Sequence, residues 1–594
     1  MIDTEDEILG KAYDSRLMRR FVQYLIPYWP LVFLSLFLIF LRIGTELAGP
    51  LLLKGAVDGP ISTGDFEGLV PYVGAFFIAV TAMSLFTYLE TWITNHVGQK
   101  VIRDLRMKLF AQLQRVPVSF YDQNPVGRLV VRTTNDIENL NELFTSGMIA
   151  LLSDVFLILG ILVLLFLLDW QLALITLVTA PIIGFLVWLF RRFARDQYRE
   201  MRKKIARLNS YLNESIQGMR TILMFHKQDY CQEQFRIRNA EYRDTSIATV
   251  RIYSIFFPGV EVLSSVTAAL LLWYGGYAIL SGTLTFGSFL AFWFCAQKFF
   301  QPVRDLSEKY NILQSAMASS ERIFKILDTP AAPGLELSKS GEKGLPTISG
   351  EITFENVSFR YNEKTPVLEN ISFTIKPGER VAIVGYTGAG KTTLLNLLLR
   401  FYEISEGRIL IDGKDLKEFD PRSLRTQTGL VLQDVFLFAG TIAENITLGT
   451  SLPKERIQQA IHTVGADHFV NSLPKGLDTL LSERGTSLSV GERQLISFAR
   501  ALAFDPRILL LDEATSSVDR ETEKLIQNGL EHLLENRTSL VVAHRLSTIQ
   551  NMDRILVLHH GRIKEMGTHE ELVKKEGLYR DLYKLQFETS AGEA

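Results

Sequence analysis

The chain has 594 residues, of which 47% are hydrophobic and 22% charged, with a formal net charge of −2 and a pI near 6.6. That balance lacks the basic excess of an electrostatic nucleic-acid binder, and its apolar content excludes a disordered chain. Two cysteines, Cys231 and Cys295, cannot build a disulfide scaffold and show no metal-ligand spacing.

Nearly all long apolar runs precede residue 300. The acidic start has no basic flank beside an apolar core, so neither a signal peptide nor a transit peptide is expected. Residues 15–29 mix Arg16, Arg19 and Arg20 with Leu17, Phe21 and Leu25, which predicts an amphipathic elbow helix along the inner leaflet. The alternative is that they simply begin the first span. A helix crosses a bilayer core with about 20 apolar residues. Runs near that length occupy 24–41, continued past Arg42, Glu46 and Lys54, then 69–89, 144–168 around Asp154, and 171–190. Two more follow at 252–280, holding Glu261, and at 281–297, closed by Lys298. They predict six spans, about 24–53, 69–92, 141–168, 170–193, 252–280 and 282–305, in a membrane domain covering 1–328. A water-soluble domain could not cover so many apolar helices.

Basic residues set the orientation. Residues 54–68 hold one lysine and three acids, and the other short connections carry almost no charge. The connections after spans two and four are long and rich in Lys and Arg, which places them and both termini in the cytoplasm. Both read as helical, over 97–114 and 193–207. Turns are expected at Phe120–Gly127 and in 209–220, as the tips of hairpins reaching into the cytoplasm.

Residues 329–350 collect Pro330, Pro333, Gly334, Gly341, Gly344 and Pro346 and predict a linker. Beyond it, in 351–594, short apolar strands alternate with helical patterns, as in an α/β domain. The alternation in 351–361 slips phase at Asn356, which predicts a bulge. A strand at 380–384 runs into Gly385, Tyr386, Thr387, Gly388, Ala389, Gly390, Lys391 and Thr392, then a helix over 393–399. This is the G-x-x-x-x-G-K-[ST] phosphate loop in its strand–loop–helix context. Its backbone donors and helix N-terminus favour phosphate. Lys391 reaches the β- and γ-phosphates, and the Thr392 hydroxyl sits on Mg²⁺. A second strand, 508–511, ends in Asp512 and Glu513. These acids divide metal binding from base work.

With these residues in place, the sequence resembles the ATP-binding cassette (ABC) transporters, within them the exporters with six spans fused to one cassette. The resemblance covers almost the whole chain. Leu488, Ser489, Val490, Gly491 and Glu492 resemble the Leu-Ser-Gly-Gly-Gln signature and depart from it at Val490 and Glu492. Gln433 looks like the glutamine-loop residue, a further metal contact, and Thr393 extends the nucleotide site. Ser517 and Asp519 resemble the loop after the second acid, and His544 the switch histidine. Tyr361 falls where the family stacks a ring on adenine. Glu483, in 479–485, looks like the exporter-specific loop that contacts the hairpins.

The resemblance implies an all-α six-helix transmembrane domain with long cytoplasmic helical hairpins, followed by an α/β P-loop ATPase domain. It implies ATP and Mg²⁺ as cofactors, Glu513 and His544 as catalytic residues, and coupling through Tyr121 and Asp122. It also implies a second half-transporter as partner, since Ser489 and Gly491 complete a neighbour's site, and the altered signature favours a heterodimer over a homodimer. No nucleic-acid partner is expected. Arg42 and Glu46, at i,i+4, and Glu261 are the candidate cavity groups, with structural ion pairing as the alternative role. Few charges suit lipids or amphipathic drugs, exported across a bacterial inner membrane. The alternative is an ATP-gated channel or a regulatory receptor.

Overall fold

The structure is a computed structural model and describes residues 14–332, 348–362, 365–512, 520–543 and 546–584. It forms two compact units that do not follow the chain linearly. Among the described residues, one holds the chain up to Phe110 together with Val130–Leu327; the other joins Ala111–Leu129 to the chain from Asp328 onward. The first hairpin tip thus packs with the C-terminal domain, although it lies far upstream of the expected boundary at 328.

The first unit is helical. Helix α1, Ser15–Gln23, is capped by Asp14, which accepts from the Arg16 N–H at 2.8 Å. A 3₁₀ turn at Ile26–Tyr28 separates it from α2, Trp29–Ala56. The elbow is therefore shorter than expected, and the regular helix α2 begins at Trp29. Pro27, which lacks an N–H, stands in the first turn of this 3₁₀ segment. Helix α3 runs from Phe66 to Leu113 without a break, so the helix expected at 97–114 is the lower part of the second span. Two short pieces follow, α4 at Val118–Gln123 and α5 at Val126–Glu142. The turn expected over Phe120–Gly127 is confined to Asn124 and Pro125, where the residue before a proline leaves the helical region.

A π-helical stretch, Leu143–Ile149, leads into α6, Ala150–Leu168. Asp169 then accepts from the N–H groups of Gln171 and Leu172, at 3.0 and 2.8 Å, and caps α7, Trp170–Gln217. Within the range where a turn is expected, residues 209–217 stay helical, since they contain neither Gly nor Pro. The break comes at Gly218, followed by α8, Met219–Met224, and by His226 at a φ of 50°. Helices α9, Gln228–Leu280, and α10, Phe286–Leu327, complete the unit. Among the described residues, five helical segments are long and apolar enough to cross a membrane: Ile26–Ile61, Phe66–Leu113, Val126–Leu168, Trp170–Gln217 and Gln228–Leu280. Large apolar side chains face outward along them, Phe77 at 73% and Trp273 at 79% exposure. Water would penalise such faces, whereas lipid accepts them.

The second unit contains an antiparallel sheet and a larger, mostly parallel one. Their strands are β1 Ile352–Phe359, β2 Leu368–Ile375, β3 Arg380–Val384, β4 Glu406–Ile411, β5 Lys414–Asp415, β6 Thr428–Val431, β7 Gly440–Thr441, β8 Leu480–Leu481, β9 Ile508–Asp512, β10 Thr538–Val542, β11 Arg554–His559 and β12 Arg562–Gly567. The antiparallel sheet has the order β2-β1-β4-β5, and the six-stranded sheet β12-β11-β3-β10-β9-β6. As expected, β1 bulges at Asn356, which takes a φ of 50° where the register to β2 and β4 shifts.

The large sheet is covered on both faces. Ala382, Val384, Leu509, Leu511, Val541, Ile555 and Val557 enter one core. The alternate residues Val381, Ile383, Ile508, Leu510, Leu540, Val542, Leu556 and Leu558 enter the other. The strands are continuous apolar runs because period-two alternation aims successive side chains into two different cores.

Candidate functional site

The site forms where the parallel strands end. Ile383 on β3 pairs with Val542 on β10, and Val542 pairs with Asp512 on β9. Parallel register thus brings the phosphate loop after Val384, the acid ending β9 and the chain after Val542 to one edge of the sheet. Ligands of open α/β sheets bind at that edge.

The loop curls as its glycines predict. Gly385, Gly388 and Gly390 take φ values of 156°, 83° and 98°, a region side-chain-bearing residues enter at a cost. A Cβ on Gly385 would also come within 2.2 Å of the Leu558 carbonyl oxygen. Gly390 stands at the N-cap of the helix α11, Lys391–Leu398, which begins slightly earlier than expected. No side chain caps that end, so its N–H groups are left for an anion. Lys391 is buried, and its Nζ donates to the Gly385 and Tyr386 carbonyls at 2.7 and 3.2 Å. Burial pulls its ammonium below the ordinary lysine range, opposed by the Asp512 carboxylate. Tyr386 and Thr387 are exposed along the loop, while Ala389 and Thr393 are buried beneath it.

Thr392 Oγ1 donates to Asp512 Oδ2 at 2.8 Å. A hydroxyl and a carboxylate beside a phosphate loop are hard oxygen donors, the set that Mg²⁺ takes. Gln433 lies exposed in the bend just beyond β6, at the same sheet edge. Tyr361 is 44% exposed and hydrogen bonded through its hydroxyl to Thr393 Oγ1 at 3.2 Å. The positions read as Glu513, Ser517, Asp519 and His544 lie outside the described residues.

In the signature segment, Ser489 is the N-cap of the helix Val490–Ala503 and forms a capping box with Glu492. Glu492 Oε2 accepts from the Ser489 N–H at 2.7 Å, and Ser489 Oγ accepts from the Glu492 N–H at 3.2 Å. Glu492, one of the two departures from the family pattern, thus satisfies a helix N-terminus. Gly491 is buried and Val490 exposed, while Leu488 accepts from Arg493 through its carbonyl at 2.7 Å. Glu483 is exposed on the turn after β8, next to Arg484 at a φ of 59°.

At the hairpin tip, the Tyr121 hydroxyl donates to the Leu113 carbonyl and closes the tip on itself. Asp122 accepts a hydrogen bond from the Tyr402 hydroxyl. Burial first, and that carboxylate second, push the Tyr402 phenol well above the ordinary tyrosine range. Sequence reading missed Tyr402. Its only signal is the aromatic pair Phe401 and Tyr402 shortly after the phosphate-loop helix.

The membrane unit holds a charge cluster. Arg42 and Glu46 pair at 3.4 Å as their spacing predicts, 19% and 15% exposed. Arg42 also reaches Glu90 at 3.0 Å and hydrogen bonds Ser153, and Lys298 pairs with Glu46 at 3.0 Å. Separately, Lys309 pairs with Asp154. In the sequence Lys298 is marked only as the end of an apolar run, and Glu90 and Lys309 are not singled out, although Glu90 also closes such a run. Glu261 does not join the cluster; it is exposed on α9 with no ion pair among the described residues. A cavity of about 420 Å³ lies beside the cluster, lined by Glu90, Thr91, Asn95, Thr145, Ser146 and Lys309 among others.

Residues 32–303 match the family described as "ABC transporter transmembrane region", and 368–516 the family described as "ABC transporter". The chain is 41% identical to the "Uncharacterized ABC transporter ATP-binding protein YknV" of Bacillus subtilis, over 99% of this chain and 97% of that protein. It is 38% identical to an "ATP-dependent lipid A-core flippase" of Syntrophus aciditrophicus, over 85% and 84% of the two chains. With the "Probable multidrug resistance ABC transporter ATP-binding/permease protein YheH" of Bacillus subtilis it shares 37% identity, over 88% and 77%. The chain therefore belongs to the ABC transporters, as an exporter-type half-transporter of the bacterial inner membrane in which a transmembrane region and an ATPase domain that drives transport are fused.

Proposed function

We propose that this chain is one half of a dimeric exporter that moves hydrophobic or amphipathic compounds, drugs or lipids, across the membrane by alternating access. The observation that carries the reading is the Thr392–Asp512 pair beside the phosphate loop, on one polypeptide with long apolar helices. Residues 1–328 form the membrane domain, with α10 carrying the sixth span, 329–350 the linker and 351–594 the cytoplasmic cassette.

Adenine stacks on Tyr361, and the N–H groups of the 385–392 loop with Lys391 hold the phosphates. Thr392, Asp512 and Gln433 hold Mg²⁺, which supplies charge neutralisation on the phosphoryl group when bound. Glu513, one residue beyond β9, orients the attacking water and accepts its proton. His544, beyond the end of β10, acts with it. Ser489 and Gly491 complete the neighbour's site, and Ser517 and Asp519 line the loop facing it. Catalysis is then positioning plus electrostatics around a phosphoryl group. Tyr121, Asp122 and Glu483 pass the state of the cassette to the membrane helices.

For substrate, the names of the flippase and multidrug relatives point to lipids or drugs. The hydroxyl- and amide-lined cavity suits a polar end, and the ion pairs around it compensate one another's charge. Outward apolar helix faces suit the tail. The partner is a second half-transporter, and the altered signature favours a different chain over an identical copy. Native mass measurement of the complex from its own source distinguishes the two. The test of function is ATPase stimulation across lipids and drugs in nanodiscs, with ATP-driven uptake into inverted vesicles. Uptake against a gradient is expected. Flux down a gradient only, gated by ATP without turnover, would replace the pump with a channel.

A further inference from the structure

The hairpin tip and Tyr361 are linked through a single side chain. Tyr402 presents its ring edge-on to Tyr361, with centroids 5.0 Å apart and an interplanar angle of 89°. Phe359 closes the cluster, 4.8 Å from Tyr361 and 5.8 Å from Tyr402. Such edge-to-face contacts resist sliding of one ring past another. The other end of Tyr402 is its hydroxyl, bound to Asp122 on α4. A neutral donor on a carboxylate makes a strong, charge-assisted hydrogen bond.

The surroundings hold Tyr402 firmly. It follows Arg400, which sits at a φ of 54° and whose guanidinium donates to the Lys417 and Phe419 carbonyls at 3.2 and 3.1 Å. Arg425 donates to the Leu399 and Arg400 carbonyls at 3.1 and 3.0 Å and lies over the Phe401 ring. The backbone before Tyr402 is pinned from two sides. At the tip, the Gln112 amide donates to the Thr329 carbonyl at 2.6 Å, and the Ala332 N–H donates to the Arg115 carbonyl at 2.7 Å. The base of the tip is therefore tied to the chain leaving α10.

We propose that Tyr402 is the positioning residue that reads occupancy of the Tyr361 platform and reports it to the hairpin tip through Asp122. The inference rests on the reading that Tyr361 stacks the base of the nucleotide. A base on the free face of Tyr361 fixes that ring, the edge contact fixes Tyr402, and the phenol holds Asp122. With the platform empty, the ring cluster has one fewer constraint and the tip is held less firmly.

The test uses the full chain in nanodiscs, with ATP and EDTA so that binding occurs without hydrolysis, and reads amide hydrogen exchange over Val118–Gln123. Wild-type exchange there is expected to slow on ATP addition by about tenfold, a change in local opening. In Tyr402→Phe that ATP-dependent difference is expected to disappear while the ATP dissociation constant stays within about twofold, because the ring is kept. Asp122→Ala removes the same bond from the exposed tip and is expected to give the same loss, with no further effect in the double variant. It stands in for Tyr402→Phe should that variant not fold. A purely structural role would change exchange equally with and without ATP, which would overturn the proposal. So would an ATP-dependent difference that survives in Tyr402→Phe or in Asp122→Ala, or its absence from wild type that binds ATP. Failure of the underlying reading is separate: Tyr361→Ala with unchanged ATP affinity would remove the platform itself.

Discussion

Thr392 and Asp512, 120 positions apart, are joined by a hydrogen bond of 2.8 Å from the threonine hydroxyl to the carboxylate. The pairing of β3 and β9 with the intervening β10 creates it, and it preassembles two oxygen ligands next to the phosphate loop. Asp512→Asn keeps an acceptor but loses the charge. It is expected to raise the Mg²⁺ concentration for half-maximal hydrolysis by about tenfold or more. A titration of ATPase rate against Mg²⁺ at saturating ATP checks this, and a wild-type curve would take Asp512 out of the metal set.

Binding and chemistry are expected to separate between two neighbours of that pair. Glu513→Gln should nearly abolish turnover, a loss on the order of a hundredfold or more, while ATP still binds. Lys391→Ala should instead weaken nucleotide affinity, since its buried ammonium lies at the loop. Equilibrium ATP binding and steady-state turnover, measured on both variants, decide it: normal affinity in Lys391→Ala or normal turnover in Glu513→Gln refutes the respective role.

Gly385 is required by geometry rather than chemistry. A methyl there would press on a carbonyl oxygen of β11 at 2.2 Å and would hold a side chain at a φ of 156°. Gly385→Ala is expected to cost about 1–3 kcal/mol and to distort the loop. Thermal unfolding should show a lowered midpoint together with weaker ATP protection against heat.

The charge cluster of the membrane unit is expected to be structural before it is functional. Removing Arg42 strands Glu90 away from water, while Glu46 keeps its pair with Lys298, and breaking the buried Arg42–Glu90 pair costs about 3–5 kcal/mol. Neutralising the stranded acid as well, as Arg42→Met with Glu90→Gln, should recover most of it, because Glu46 keeps Lys298. Detergent-solubilised thermal midpoints of the single and double variants measure the difference, and equal midpoints would show that Arg42 makes no pair of consequence.

Asp412 predicts an acid limb of stability. Burial alone would raise its carboxyl, but the Ser349 hydroxyl and the N–H groups of Glu351, Ser349 and Gly350 bind the charged form and bring it below the usual range. A folded value below the unfolded one means that the stabilisation is complete above the unfolded value of about 3.9 and is lost as pH falls through the folded value. Asp412→Asn should lower the midpoint at pH 7 and flatten its decline below about pH 4. Parallel midpoint curves for variant and wild type would exclude this contribution.

What could be read from the sequence is what repeats or recurs locally. The division into apolar helices and a strand-rich domain follows from run length, the strand Arg380–Val384 from its apolar run against the phosphate loop, and the bulge at Asn356 from a slip in alternation. The Arg42–Glu46 pair follows from helical spacing. Packing alone decided the rest. Glu90 and Lys298 reach that pair from other helices, and nothing in a one-dimensional pattern sets how three helices rotate against one another. Within 209–220 the second tip is narrowed to Gly218, because a polar stretch without Gly or Pro remains helical when a long neighbour, α9, packs along it. Tyr402 meets Asp122, 280 positions earlier in the chain, only because Ala111–Leu129 folds with the C-terminal domain. Local periodicity fixes which face an element buries; contacts between distant elements exist only once those faces have met.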